Sequence, residues 1–203
     1  MTAGGIILCG GGSTRMGASK PLLPFGPETM LQRVVRLVGS AVHPVVLAAA
    51  KRQQLPSLPP AVLVARDESE RRGPLEGLRA AWKRMPAGTD IAYVTSCDVP
   101  LLKPEFIARM VDLIAEYEIA VPEIDGFVYP LSGVYRRETL RTMEGLLARG
   151  QLQVTRLLHL AKTRRVRAQE IADVDPQFLS LRNLNTRDAY LDALRSVNHL
   201  GST

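Results

Sequence analysis

The segment directly after the first apolar run of the chain carries the residue types that a triphosphate site requires. Residues 5–9 read GIILC, and residues 10–12 are three consecutive glycines. Bare glycine backbone lets a phosphate approach its N–H groups closely. Arg15 and Lys20 then add two long cationic side chains within reach of the same anion. The segment therefore predicts a phosphate-binding loop.

Two common glycine-loop templates do not fit this segment. A Walker A loop requires lysine directly after its second glycine, but Ala18 and Ser19 intervene before Lys20. The dinucleotide fingerprint G-x-G-x-x-G, started at Gly10, requires glycine where Arg15 stands. The predicted loop must therefore bind phosphate in another way.

A carboxylate is expected at the same sheet edge as the glycine loop. Asp98 follows the apolar run 91–96, and ligands of open α/β sheets bind outside the carboxyl ends of the strands. Mg²⁺ commonly takes one or two carboxylates together with phosphate oxygens and waters. Asp98 is thus a candidate Mg²⁺ ligand. The alternative is that its side chain only caps a turn before Pro100.

Two further segments could contact a ligand at this edge. Gly73 precedes Pro74, which predicts a helix start whose backbone a ligand can approach, although a plain helix start would have the same sequence. Asn183 and Asn185 could offer amide oxygens to a metal or to an acceptor substrate. Their alternative role is to cap the last helix.

Short β-rich runs alternate with amphipathic runs along the chain, which predicts a three-layer α/β fold with a mostly parallel central sheet. Strands are predicted at residues 5–9, 45–49, 61–65, 91–96, 119–122, 127–129 and 131–135. Helices are predicted around residues 30–38, 75–85, 107–117 and 185–197. We expect one domain over residues 1–203, with a frayed tail at 194–203.

Composition restricts the classes of function. The formal net charge of +6 favours anionic partners. Aromatic residues make up only 5% of the chain and no stacking platform is visible, so nucleic acid is not the expected partner. No apolar run approaches the roughly 18 residues of a membrane helix, and a cytoplasmic location is expected. Cys9 and Cys97 lack metal-ligand spacing and are predicted to be reduced, buried thiols.

Four segments, in order along the chain, resemble the motifs of the MobA-like nucleotidyltransferases, and most closely those of the molybdenum cofactor guanylyltransferases. They read LCGGGSTRMGASKPLLPFG, GPLEGLRAA, TSCDVPLL and LRNLNTRDAYLDAL. The resemblance extends from Gly5 to about Leu194. It implies a Rossmann-like nucleotidyltransferase fold, dependence on Mg²⁺, and transfer of GMP from GTP to molybdopterin with release of pyrophosphate.

The resemblance also implies roles for single residues. Arg15 and Lys20 match cations on the triphosphate, and Asp98 matches the metal ligand, so these three are the predicted catalytic residues. Asn183 and Asn185 are predicted on the acceptor side. The predicted nucleotide-binding residues are Leu8, Gly10, Gly11, Gly12, Lys20, Asp67, Gly73, Pro74 and Asp98.

The base and the acceptor stay open at this point. The guanylyltransferases have an asparagine at the end of the second strand that helps to hold the guanosine, and this chain has Ala48 in that strand. The alternatives are a CTP-dependent molybdopterin cytidylyltransferase, another transferase from an NTP to a phosphate acceptor, and a non-catalytic nucleotide-binding module. Basic residues between Arg156 and Arg167 could bind the acceptor's phosphate or a protein partner, or they could form a solvated helix and edge strand. Transient contact with other molybdenum cofactor proteins is also expected.

Overall fold

The computed structural model describes residues 2–9, 19–67 and 73–200. Strands and helices alternate along most of the chain, as the sequence pattern predicts. In chain order, the elements are β1 (Ala3–Leu8), β2 (Pro24–Phe25), β3 (Glu28–Thr29), α1 (Met30–Gly39), β4 (Val45–Ala50), β5 (Leu63–Asp67), α2 (Gly73–Arg84), β6 (Ile91–Ser96), α3 (Pro104–Leu113), β7 (Ile119–Ile124), β8 (Phe127–Val128), β9 (Ser132–Arg136), α4 (Thr139–Ala148), α5 (Val154–Leu160), β10 (Thr163–Arg167) and α6 (Arg187–Leu200).

Eight strands of the described residues form one sheet, in the order β10-β7-β9-β6-β1-β4-β5, with β8 also paired to β7. β1 lies in the centre and is parallel to both of its neighbours, β6 and β4. The β4–β5 and β7–β10 pairs are also parallel. β9 runs antiparallel to β6 and β7, and β8 runs antiparallel to β7. The predicted α/β fold with a mostly parallel sheet is confirmed.

Helices cover both faces of the sheet, which explains why its strands are apolar without alternation. Neighbouring residues of β1 point to opposite faces. Ile7 packs in one core with residues of α1 and α3, such as Val34 and Phe106. Ile6 packs in a second core with residues of α2 and α4, such as Trp82 and Met143. The predicted three-layer arrangement is therefore present.

The structure differs from the sequence prediction at several elements, and α3 (Pro104–Leu113) begins and ends earlier than the predicted 107–117. β5 begins at Leu63 rather than residue 61, because Val62 N–H donates to the Pro59 carbonyl and closes a turn there. α4 and the small β2–β3 hairpin are not predicted. The backbone of α6 continues to Leu200, and fraying of the 194–203 segment stays a prediction. Among the described residues, no helix is both long and apolar enough to cross a membrane.

A capping box starts α1, the helix that follows the Lys20 segment. Thr29 Oγ1 accepts the Gln32 N–H at 3.3 Å, and the Gln32 side chain accepts the Thr29 N–H at 2.8 Å. Thr29→Ala should lower the free energy of unfolding by about 1 kcal/mol, because a helix N–H loses its partner. Urea unfolding measures this effect, with Thr155→Ala on exposed α5 surface as the control. Equal stability of the two variants would show that the box does not stabilise α1.

Candidate active site

The carboxyl ends of β1 and β6 lie side by side, and the candidate site lies at these two strand ends. Leu8 pairs with Ser96 at the end of the register, and the Cys97 N–H donates to the Leu8 carbonyl at 3.1 Å. The residues that follow these two strands therefore leave the sheet at the same edge. Asp98 is one of them, as predicted. The predicted loop residues Gly10, Gly11, Gly12 and Arg15 lie outside the described residues.

Asp98 is the centre of a cluster of polar side chains. Its Oδ2 accepts a hydrogen bond from the ammonium of Lys20, with 3.0 Å between Nζ and Oδ2. Its Oδ1 accepts the Ser96 hydroxyl at 2.5 Å and the Asn183 amide at 3.2 Å. Lys20 Nζ also donates to Asn185 Oδ1 at 2.6 Å. The structure thus brings together four of the predicted site residues, and it adds Ser96.

The ion pair between Lys20 and Asp98 is largely shielded from solvent, with side chains 10% and 11% exposed. Burying an ion pair costs desolvation free energy, and further hydrogen bonds offset part of that cost. Here the hydroxyl and the two amides supply those bonds. Because a buried ion pair contributes little net stability, this pair, at the edge where open α/β sheets bind ligands, is a candidate for a catalytic role.

Backbone contacts bring the Asn183–Asn185 segment, far away in sequence, onto this edge. The Leu184 N–H donates to the Asp98 carbonyl at 2.8 Å, so the two segments are joined directly. The Leu184 side chain is buried with Phe25 and Met30 in a third, smaller core. Asn183 and Asn185, on either side of Leu184, then reach the Asp98–Lys20 pair.

A buried carboxylate fixes the chain just before this segment. Asp175 is fully buried and accepts the N–H groups of Leu179 and Ser180 at 3.1 and 2.8 Å. Lys103, which directly precedes α3, lies 3.3 Å from the same carboxylate and donates its N–H to Ser180. These bonds attach the segment to the start of α3 and so define where the two asparagines lie.

The described residues that are predicted to bind the nucleotide lie at the same edge of the sheet, on β1, on β5 and at the start of α2. Leu8 is buried, and a Cβ added at Gly77 would lie 3.5 Å from Leu8 Cδ2, so α2 packs closely on the end of β1. Gly73 begins α2 with φ of +71°, and Pro74 beside it is exposed. Asp67 is the last residue of β5. Parallel strands place all of these positions at one edge.

Sequence reasoning misses Gln53, which lies beside the end of β4. Its Oε1 accepts the Ala50 N–H at 3.1 Å, and its Nε2 donates to Cys9 Sγ at 3.4 Å. Arg66 donates to the carbonyls of Ala50 and Gln53, which holds this turn against β5. β4 has Ala48 where a polar residue is expected, and the Gln53 amide, from the turn that follows β4, lies beside the end of this strand. A glutamine in a proline-rich loop gives no sequence signal for such a position.

The two cysteines lie next to each other in the core below the site. Both are free and buried, as predicted. The pKa of the Cys9 thiol is raised well above its ordinary value, first by a hydrogen bond with Cys97 and then by burial. A raised pKa leaves little thiolate, so Cys9 is a poor nucleophile and its contribution here is packing.

The basic residues of the Arg156–Arg167 stretch are distributed over α5, β10 and the turn between them. β10 is an edge strand of the sheet, as one alternative expects, and binding of a phosphate or a protein partner by this stretch stays a prediction. Arg164 donates to the Leu113 carbonyl and to Glu170, whereas Arg165 lies 3.9 Å from Glu123. Neighbouring strand residues point to opposite faces, which separates these two guanidinium groups.

Comparison with known proteins gives a family match and close relatives. The model of the MobA-like NTP transferase domain matches residues 5–167. A probable molybdenum cofactor guanylyltransferase from Mycobacterium avium is 36% identical over 202 residues, covering 96% of this chain and 95% of that protein. A molybdenum cofactor guanylyltransferase from Desulfosudis oleivorans is 31% identical over 186 residues, covering 91% and 90%.

Solved structures share the fold at low sequence identity. The molybdopterin-guanine dinucleotide biosynthesis protein A from Archaeoglobus fulgidus has a TM-score of 0.78 at 17% identity, covering 98% of this chain and 100% of that chain. A nucleotidyl transferase from Methanothermobacter thermautotroptrophicus has a TM-score of 0.74 at 19% identity, covering 98% and 99%. A manganese complex of Rv0371C from Mycobacterium tuberculosis has a TM-score of 0.67 at 20% identity, covering 97% and 100%. The predicted Rossmann-like nucleotidyltransferase fold is confirmed.

Proposed function

We propose that this chain, which belongs to the MobA-like NTP transferase family and is a nucleotidyltransferase, transfers GMP from GTP to molybdopterin and releases pyrophosphate. The observation that carries the proposal is the buried Lys20–Asp98 pair at the sheet edge where the predicted phosphate loop begins. The relatives at 31% and 36% identity support GTP and molybdopterin as the substrates. A cytoplasmic location and transient contact with other molybdenum cofactor proteins are part of the same proposal.

The side chains at Asp98 fit a divalent metal, and we propose Mg²⁺. The described residues contain no group of three histidine, cysteine or acidic side chains that could hold a metal by themselves. Asp98 and Asn185 nevertheless offer a carboxylate and an amide oxygen at one position. Mg²⁺ characteristically takes few protein oxygens and completes its shell with phosphates and water. When bound, it would neutralise charge on the phosphate oxygens.

Positioning and charge neutralisation account for most of catalysis in phosphoryl-group chemistry of this kind. The phosphate of the acceptor attacks the α-phosphorus, and the bond from that phosphorus to the bridging oxygen of the pyrophosphate breaks. We propose that Lys20 and Arg15 neutralise the charge that develops on the departing pyrophosphate. The attacking phosphate is already ionised, so no strong general base is required.

The contacts of the two asparagines suggest different roles from the acceptor-side role predicted for them. Asn183 donates to Asp98, so we propose that it orients the carboxylate, whereas the Asn185 oxygen, which accepts from Lys20, is proposed as a ligand of the metal. Leu8, Asp67, Gly73 and Pro74, with the glycines of residues 10–12, are proposed to hold the nucleotide. The shared edge of β1, β5 and α2 supports this division of the site.

A CTP-dependent transfer is the second candidate, and the observation that favours it is Ala48, in the strand where the guanylyltransferases have an asparagine. The nearby Gln53 does not decide between the bases, because its amide carries both a donor and an acceptor and can pair with guanine or with cytosine. In this chain it stands beside a strand that has Ala48 instead of a polar residue. The phosphate-binding part of the site is the same for either nucleotide.

Pyrophosphate release with molybdopterin as acceptor separates these candidates. The enzyme with Mg²⁺ should turn over GTP with kcat/KM roughly 100-fold above that for CTP, since a site built for one base leaves its polar groups unpaired with another. Turnover with CTP alone would contradict guanylyl transfer. Nucleotide binding without turnover of any NTP would favour a non-catalytic module.

A further inference from the structure

Two oxygen atoms of the site converge on one position, and the ammonium of Lys20 occupies it. Asp98 Oδ2 lies 3.0 Å from Lys20 Nζ, and Asn185 Oδ1 lies 2.6 Å from it. The Lys20 side chain is 10% exposed, so water gives little competing solvation. The ammonium therefore takes these two oxygens as its main partners among the described residues.

The same two oxygens are the protein ligands proposed for the metal. A carboxylate and an amide oxygen suit Mg²⁺, which binds oxygen at about 2.0–2.1 Å. An ammonium at hydrogen-bond distance and a metal at coordination distance cannot share both oxygens without bringing two positive charges into contact. That repulsion is strong at short range and weakly screened in a shielded site.

The carboxylate of Asp98 is anchored independently of Lys20. Ser96 and Asn183 both donate to Oδ1, the oxygen that Lys20 does not contact. The Leu184 N–H also holds the backbone carbonyl of Asp98. Departure of Lys20 would consequently leave Asp98 oriented, with Oδ2 open to another cation.

We propose that Lys20 and the metal exclude each other from Asp98 and Asn185, so that the metal binds together with the triphosphate and not before it. Lys20 belongs to the segment predicted to bind the triphosphate, and a triphosphate offers its ammonium a more highly charged partner than one carboxylate. When Lys20 moves to the phosphates, the two oxygens become available. This inference rests on the proposed function, because it assigns the two oxygens to the metal of that site.

Titration with Mn²⁺ alone, followed by electron paramagnetic resonance of the free ion, tests the exclusion. Lys20→Met keeps a long side chain and removes the charge. It should bind Mn²⁺ about tenfold more tightly than the unmodified protein, because a neighbouring positive charge is gone. Lys83→Met removes an exposed lysine paired with Glu144 on α4, and it should leave Mn²⁺ affinity unchanged. Adding Asp98→Asn to Lys20→Met should abolish the gain.

Equal Mn²⁺ affinity of the unmodified protein and Lys20→Met would overturn the inference. The inference would also be overturned if the double variant with Asp98→Asn kept the gain in Mn²⁺ affinity, or if Lys83→Met showed the same gain. Circular dichroism checks the fold, and Lys20→Gln is titrated in the same way if Lys20→Met does not fold. The titration contains neither nucleotide nor acceptor, so a failure of GMP transfer would count against the proposed function without deciding this inference.

Discussion

Asp98→Asn is expected to lower kcat for nucleotidyl transfer by roughly a thousandfold or more. The variant keeps the volume and one oxygen of the side chain but removes the negative charge that the proposed metal requires. Metal stabilisation of phosphate charge is worth several kcal/mol, and each 1.36 kcal/mol corresponds to tenfold in rate. Pyrophosphate release at saturating GTP and molybdopterin measures the effect.

The control for this prediction is a carboxylate outside the site. Asp173 pairs with Arg109 on the surface and its side chain is 60% exposed, so Asp173→Asn should retain full activity. Asp98→Asn also leaves the shielded ammonium of Lys20 without its counter-charge, which can reduce stability. The double variant with Lys20→Met removes that unpaired charge and should unfold like the unmodified protein while staying inactive. Undiminished transfer by Asp98→Asn would remove Asp98 from the mechanism.

The edge of the sheet at which the site lies could be predicted because local signals agree there. Each of the two central parallel strands is a short apolar run, and each is followed directly by polar or glycine residues. Parallel strands end at the same edge of a sheet, which predicts Asp98 at the edge where β1 ends. That β6 is the direct neighbour of β1, and so brings Asp98 close to the end of β1, is known only from the structure.

The contacts within the site could not be predicted because they join distant segments. Lys20 and Asn185 are 165 residues apart, and their hydrogen bond depends on the backbone contact between Leu184 and Asp98. Gln53 reaches Cys9 only because the turn after β4 folds back over the sheet edge. Tertiary packing decides where a side chain points after the chain has reversed direction. The types and spacing of the residues alone do not predict it.

The direction of β9 is another result of tertiary structure. Asp125 and Gly126 have φ of +50° and +79°, so a tight turn of the kind that Asp-Gly favours reverses the chain from β7 into β8. The chain then continues into β9, which enters the sheet between β7 and β6. The sequence predicts strands in this stretch, but the insertion between two strands that are parallel to each other requires knowledge of the whole sheet.

Gly133→Ala is expected to have the largest effect on stability, because β9 is packed against β7 without room for a side chain. A Cβ at Gly133 would lie 2.5 Å from the Ala120 carbonyl oxygen and 2.6 Å from Val121 Cγ1. The strand cannot move aside, since Gly133 pairs with Val94 of β6 and the next residue pairs with Ala120 of β7. Overpacking of this kind costs about 3 kcal/mol in the free energy of unfolding.

The matched control for this change is Gly88→Ala. Gly88 is exposed, and a Cβ there meets nothing within 4 Å, so the free energy of unfolding should change by less than about 0.5 kcal/mol. Urea unfolding of both variants makes the comparison. Equal midpoints would show that β9 can separate from β7 without loss of stability. A large loss confined to Gly133→Ala would instead mean that the close packing of β9 against β7 stabilises the sheet, in which β6 is the next strand.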